Sequence, residues 1–203
     1  MSPEEEAVQI LMEKGYDITT AESCTGGMIA STLINVSGIS EIYREGYITY
    51  ANEAKHKLLG VKEETLKAYG AVSEQTAYEM ALGAAKAADA KVSLAVTGIA
   101  GPGGGTKEKP VGLVYIGCCI DGKVNVLRNL FQGDRLSVRK QATARALALL
   151  LECLKNEKGM ECRQNYRSDS GSYCSCHYFV DRVYSQYVSA CRFFYADRGR
   201  QYR

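Results

Sequence analysis

Residues 73 to 131 pass from helical to strand periodicity and then double back, which leaves few folds open to the chain. Ser73 stands as an N-cap before Glu74 to Asp89, an Ala-rich stretch whose Ala77, Met80, Ala81, Ala84 and Ala85 share one helical face. Val92 to Val96 follows as a run of the buried-strand type, then Val111 to Ile120 and Val124 to Phe131. Asp121-Gly122 between the last two is a strong hairpin signal. Upstream, an amphipathic helix over Glu4 to Lys14 precedes a β-prone run, Tyr16 to Thr20, and a helical pattern from Thr25 to Val36. Glu45 to Tyr50 reads as a strand and Asn52 to Leu59 as a helix closed by Gly60. A last helix spans Leu136 to Leu154, with Val138, Ala142, Leu147 and Leu150 on its buried side. Helices alternating with strands, plus one hairpin, predict a three-layer α/β/α sandwich around a mixed, mostly parallel sheet.

Composition changes near Lys155. Residues 155–203 hold no Leu and no Ile, yet seven of the fourteen tyrosines and four of the eight cysteines. They carry nine Lys/Arg against five Asp/Glu, whereas residues 1–154 carry sixteen against eighteen. A segment so poor in aliphatic side chains cannot easily build a core. We therefore divide the chain into a domain at 1–154 and an atypical basic, Tyr/Cys-rich tail at 155–203. The tail admits three readings: a basic aromatic arm that stacks on nucleic acid, a zinc knuckle using Cys162, Cys174, Cys176 and His177, or a disordered or non-native extension. The Cys-x-Cys-His spacing is short for structural zinc, which favours the extension. The whole chain has a net charge of only +2 and no membrane-length apolar run, so neither nucleic acid nor membrane is demanded as a partner. Its acidic start and the scattered Cys24, Cys118, Cys119 and Cys153 suit a cytoplasmic protein with reduced thiols.

Three segments bear the chemistry. Thr-Ala-Glu-Ser-Cys-Thr-Gly-Gly, residues 20–27, puts two nucleophiles, Ser23 and Cys24, at a strand-to-helix junction. Thr25 is placed to cap the helix, with Gly26 and Gly27 leaving its first amides open to a ligand. A hydroxyl beside free N–H donors is what acyl transfer requires. Residues 46–55, Gly-Tyr-Ile-Thr-Tyr-Ala-Asn-Glu-Ala-Lys, end a strand and bring Tyr50 close to Lys55. Residues 97–106, Thr-Gly-Ile-Ala-Gly-Pro-Gly-Gly-Gly-Thr, form a glycine-rich turn after the buried strand, where α/β proteins tend to bind ligands. That loop lacks the Gly-Lys-Ser/Thr ending of a P-loop.

With Gly-Ala-Val-Ser-Glu (70–74), Lys-Pro-Val-Gly (109–112) and Gly-Asp-Arg (133–135), these make six motifs in order. In them the chain closely resembles the CinA C-terminal domain family, the PncC-type nicotinamide mononucleotide amidohydrolases, over roughly residues 4 to 154. The resemblance implies hydrolysis of the carboxamide of nicotinamide mononucleotide to nicotinate mononucleotide and ammonia, without metal or organic cofactor. It places the family's serine nucleophile on Ser23, its tyrosine on Tyr50 and its lysine on Lys55, with Thr97 and Arg135 at the substrate pocket. It also implies a homodimer or higher homo-oligomer. The tail has no counterpart in the family pattern.

The residues themselves are consistent with this chemistry. A serine needs a base, and His56 and His177 offer no Ser-His-Asp set. A lysine held neutral by desolvation can serve, with Tyr50 relaying or orienting the proton. Amides opening the helix after Thr25 would stabilise the oxyanion, while Arg135, Arg139 and the loop containing Gly101, Gly103 and Gly104 would hold the phosphate. Each assignment has an ordinary competitor. Cys24 is a second nucleophile or a small buried residue, Lys55 a surface lysine, Arg139 an exposed helix residue, Glu22 an organiser of the turn or a neutralising charge, and Asp134 an N-cap. A pocket that binds nucleotide without turnover is the alternative reading of the whole site.

Overall fold

The computed structural model describes residues 1–164, with side chains to residue 156. The chain divides into a unit Met1–Leu154 and a second unit Lys155–Arg203. The tail readings that rest on Cys174, Cys176, His177 and the side chain of Cys162 fall outside the described residues.

Helix α1 (Pro3–Lys14) opens on a capping box between Ser2 and Glu5, with Pro3 in its first turn, and stops at Gly15 in the left-handed region. Strand β1 (Ile18–Glu22) follows, then α2 (Met28–Ile34) and a short 3₁₀ turn at Ile39–Glu41. Strand β2 (Tyr47–Ile48) leads into α3 (Asn52–Leu59), which Gly60 ends. Next come α4 (Glu63–Tyr69), α5 (Glu74–Ala87) with Ser73 capping the Thr76 amide, and β3 (Val92–Gly98). The hairpin β4 (Leu113–Ile120) and β5 (Lys123–Leu130) precedes α6 (Arg135–Gln164).

The five strands form one sheet in the order β2-β1-β3-β4-β5. β1 lies parallel to both β2 and β3, and β4 antiparallel to both β3 and β5. The sheet is mixed as expected, with β4 running against the other four. Asp121 and Gly122 both take positive φ, which is the backbone the hairpin turn demands. On one face α5 packs across β1, β3, β4 and β5, and α3 and α4 pack against α5. Two glycines permit this closeness. A Cβ at Gly117 would stand 2.9 Å from the Ala77 carbonyl oxygen, and one at Gly83 would stand 1.8 Å from that of Leu59. On the other face α6 brings Cys153 against Asn125 and Cys118. Fully buried Met80 and Leu94 show the scale of the core, each contributing about 1.5–3 kcal/mol.

Several expectations need correcting. β1 runs two residues later than the β-prone run Tyr16–Thr20, because pairing with β3 from Ile18↔Val92 to Glu22↔Val96 sets its limits. β2 is only two residues of the expected Glu45–Tyr50, since it pairs with β1 solely at Ala21↔Tyr47 and Glu22↔Ile48. α2 begins at Met28 rather than after Thr25, with Gly27 as its N-cap. α4 is an element the sequence reading did not include.

Candidate active site

Ser23 directly follows β1, and its N–H donates to the Val96 carbonyl at 2.9 Å, so strand pairing continues into the reactive position. From α3, Lys55 reaches back along its own N-terminal approach. Its Nζ lies 3.2 Å from Ser23 Oγ, 2.8 Å from the Thr49 carbonyl oxygen and 3.3 Å from that of Tyr50. The residue is only 1% exposed. Burial pushes the Lys55 amine below the ordinary lysine range, against opposing pulls from Cys24 and Glu53. Nζ donates to all three oxygens; the two carbonyls can only accept, so of these three partners the Ser23 hydroxyl is the one able to give a proton back to the amine once it is neutral.

Cys24 lines the same space, but burial pushes its thiol up to about 11, so it holds its proton at neutral pH. Its surroundings are those of a small buried residue.

The start of α2 differs from the expectation. The Glu22 carboxylate accepts from the amides of Gly27 at 3.0 Å, Ile29 at 3.1 Å and Ala30 at 2.8 Å. The first turn of α2 is therefore occupied by the protein's own carboxylate and is not open to a ligand. Thr25 does not cap the helix; its hydroxyl is buried with no partner among the described residues. Gly26 and Gly27 both take positive φ in the turn between Ser23 and α2.

Tyr50 also differs from its expected part. The residue is 65% exposed, and its phenol oxygen accepts from Arg135 Nη2 at 3.3 Å. What Tyr50 gives Lys55 is its main-chain carbonyl. Arg135 Nη1 donates to the Gly101 carbonyl at 2.8 Å, which ties the glycine-rich loop to the first turn of α6. Asp134 does cap that helix, accepting from the Ser137 amide at 2.7 Å. Arg139 is turned elsewhere. Its Nε donates to the Cys24 carbonyl at 3.0 Å and its Nη2 to that of Thr25 at 2.7 Å, so it braces the serine turn.

These groups surround a cavity of about 180 Å³ lined by Ser23, Cys24, Tyr50, Lys55, Thr97 and Arg135, together with Ala71, Val72, Gly98 and Ala100. Thr97 donates its hydroxyl to the Ala71 carbonyl at 2.7 Å, which holds the 70–73 segment over the site. Gly101, Gly103 and Gly104 do not line the cavity, and the last two are exposed. Of the two readings given for Glu22, organiser of the turn is the one its bonds match, though the sequence did not show that it would hold the α2 amides, nor that the Thr49 carbonyl would be a partner of Lys55. A carboxylate inside a β-run five residues before a glycine helix start was the available signal for the first. Among the described residues no group of three or more His, Cys, Asp or Glu could hold a metal ion, and no helix is long and apolar enough to cross a membrane.

The CinA C-terminal domain model matches residues 1–154. A Clostridium beijerinckii protein named for competence-damage induction is 59% identical over 151 residues, covering 74% of this chain and 37% of that protein. A CinA-like protein of Kosmotoga olearia is 53% identical over 153 residues, covering 75% and 37%. The chain thus spans little more than a third of the length of the curated relatives it matches. Among solved structures, a CinA superfamily protein from Klebsiella pneumoniae superposes with a TM-score of 0.73 at 36% identity, covering 76% of this chain and 96% of that one. One from Escherichia coli gives 0.71 at 41% identity, covering 73% and 87%. Motifs, fold and overall likeness agree: this chain belongs to the CinA C-terminal domain family.

Proposed function

We propose that this domain hydrolyses the carboxamide of nicotinamide mononucleotide, releasing ammonia and leaving nicotinate mononucleotide. One observation carries the reading: a lysine amine shut off from solvent and bonded to a serine hydroxyl at 3.2 Å. Phosphate binding alone would need no such pair.

Ser23 Oγ attacks the carboxamide carbon while its proton passes to Lys55 Nζ. The tetrahedral intermediate collapses, the C–N bond breaks, and the Lys55 proton leaves with the nitrogen as ammonia. Water then adds to the acyl ester with Lys55 again as base, which regenerates Ser23 and frees the carboxylate. Cys24 is not the nucleophile in this scheme, because its thiol stays protonated.

The cavity, at about 180 Å³, is smaller than the roughly 300–1,000 Å³ of a pocket enclosing a whole ligand. It suits the carboxamide-bearing ring, with the ribose phosphate extending past exposed Arg135. That guanidinium is the cation we assign to the phosphate, and Tyr50, bonded to it, orients it. We leave Arg139 out of phosphate binding because two of its donors are committed to the serine turn. The scheme needs no cofactor, and its working form is the homodimer or larger homo-oligomer that the family resemblance implies.

Incubation with nicotinamide mononucleotide should release ammonia, and Ser23→Ala should abolish that release while nucleotide still binds. Binding without turnover by the wild type would instead favour a nucleotide-binding module.

A further inference from the structure

Glu22 takes the Gly27, Ile29 and Ala30 amides at the start of α2, which points to the serine turn itself as the source of donors for a developing oxyanion. Peptide geometry singles out two. In a trans peptide the carbonyl of one residue and the N–H of the next point in opposite directions. The Cys24 carbonyl shares a peptide with the Thr25 N–H, and the Thr25 carbonyl shares one with the Gly26 N–H. Both peptides are trans. Both carbonyls are held by the one guanidinium of Arg139, so both N–H groups face away from it. Neither N–H donates to any group among the described residues.

Thr25 is fully buried, where an unpartnered main-chain donor is rare and costly. Gly26 takes φ 59°, so the stretch that bears the two N–H groups turns into the left-handed region there. A Cβ on Gly26 would stand 3.5 Å from Arg139 Nη2, so the guanidinium sits directly against the turn.

We propose that Arg139 is a positioning residue that turns the Thr25 and Gly26 amides toward the anionic oxygen formed when Ser23 attacks. This rests on the amidase reading of Ser23 and goes beyond it by assigning the oxyanion donors and the group that aims them. Arg139 touches no reacting atom. It acts by fixing two peptide planes, in the way a preorganised site avoids rearrangement during reaction. Losing one well-aimed oxyanion donor costs roughly 10²–10³ in rate, so loosening both by removing the brace is expected to cost at least tenfold.

The test compares wild type with Arg139→Met, which lacks both donors, and Arg139→Lys, which keeps one. Three readouts separate positioning from its rivals. Ammonia release is measured with nicotinamide mononucleotide and with nicotinamide riboside, which lacks the phosphate. The pH profile is recorded for each variant. Labelling of Ser23 by phenylmethanesulfonyl fluoride, whose sulfonyl oxygen needs the same donors, is followed by peptide mass spectrometry. Arg139→Met is expected to lose at least tenfold in kcat with KM within about twofold, by the same factor on both substrates and with the pH inflection unmoved. Ser23 labelling is expected to slow in parallel, with Arg139→Lys intermediate. An increase in KM confined to the phosphorylated substrate would make Arg139 a phosphate ligand and overturn the proposal. Unchanged kcat and labelling would overturn it too. If Arg139→Met does not fold, Arg139→Lys is decisive: wild-type rates refute positioning, and a partial loss in kcat and labelling supports it. If the wild type is labelled but releases no ammonia, the substrate assignment fails and labelling alone decides the role of Arg139. A wild type neither labelled nor turned over overturns both.

Discussion

Replacing Lys55 by Met keeps most of the buried aliphatic stem and deletes the amine. At the ordinary lysine pKa of about 10.4, about one amine in 2,500 is neutral at pH 7, and each unit of downward shift raises that share tenfold. Burial moves Lys55 in that direction, so the wild type should keep a usable fraction of free base near neutrality. A positioned general base is worth roughly 10²–10⁴ in rate, or about 3–5 kcal/mol of barrier. Lys55→Met should therefore lower kcat/KM for ammonia release by roughly 10²–10⁴. The wild-type rate should climb with pH to an inflection below about 10.4, and this climb should vanish in the variant.

The same group links folding to pH. Its folded pKa lies below its unfolded value, so between the two the unfolded chain binds more protons and stability rises with pH. Below the folded pKa both states carry the proton, and the cost of burying the cation is present in full. Urea unfolding of both proteins across this window should show the wild type gaining on Lys55→Met as pH rises. Loss of the amine from the Thr49 and Tyr50 carbonyls adds only a pH-independent offset of about 1–3 kcal/mol. The reasoning fails if Lys55→Met keeps activity within threefold of wild type, or if the wild-type inflection sits at or above the ordinary lysine value.

Other outcomes follow from the same geometry. Glu22→Gln presents an amide to three main-chain donors at a 1%-exposed site, and should cost about 3 kcal/mol, seen as a Tm fall of roughly 6–12 °C; a loss below about 1 kcal/mol would contradict the clamp. Arg135→Ala should lower kcat/KM roughly 10–100-fold on nicotinamide mononucleotide and far less on the riboside, as expected for a lost charge-assisted contact to phosphate. Equal losses on both would remove Arg135 from the phosphate. Gly83→Ala forces a methyl to within 1.8 Å of a backbone oxygen and should cost more than about 3 kcal/mol, whereas Gly103→Ala meets no heavy atom within 4 Å and should stay within about 0.5 kcal/mol of wild type in chemical denaturation.

Signals that live in a few consecutive residues were legible before the fold was known. Gly60 ends α3, Ser73 caps α5, Asp134 caps α6 and Asp121-Gly122 turns the hairpin, because each depends on local φ and ψ or on a side chain bonding its own neighbourhood. Ser23 stood out as a nucleophile at a strand-to-helix turn near glycines, whereas Tyr50 and Lys55 were picked out by the motif resemblance, since a lysine in a helix reads by itself as a surface residue. Strand limits were less legible. β2 lasts only where β1 pairs with it, and nothing within residues 45–50 marks that stop.

The directions of the polar side chains lay beyond the sequence altogether. Glu22 read as an organiser of the turn or a neutralising charge, and its part as the clamp on α2 emerged only because folding brings the amides of Gly27, Ile29 and Ala30 around it. Arg139 read as a phosphate candidate, but it lies more than a hundred residues from the carbonyls it holds. Tyr50 read as a partner for the Lys55 amine, yet its phenol faces outward to Arg135. The order of amino acids alone determined the layered architecture, the turns and the residue types available for catalysis, because periodicity and local backbone preference are short-range properties. Tertiary structure decided which donors are already taken and that Lys55 sits away from water beside Ser23. Burial and long-range pairing depend on how the layers close over one another.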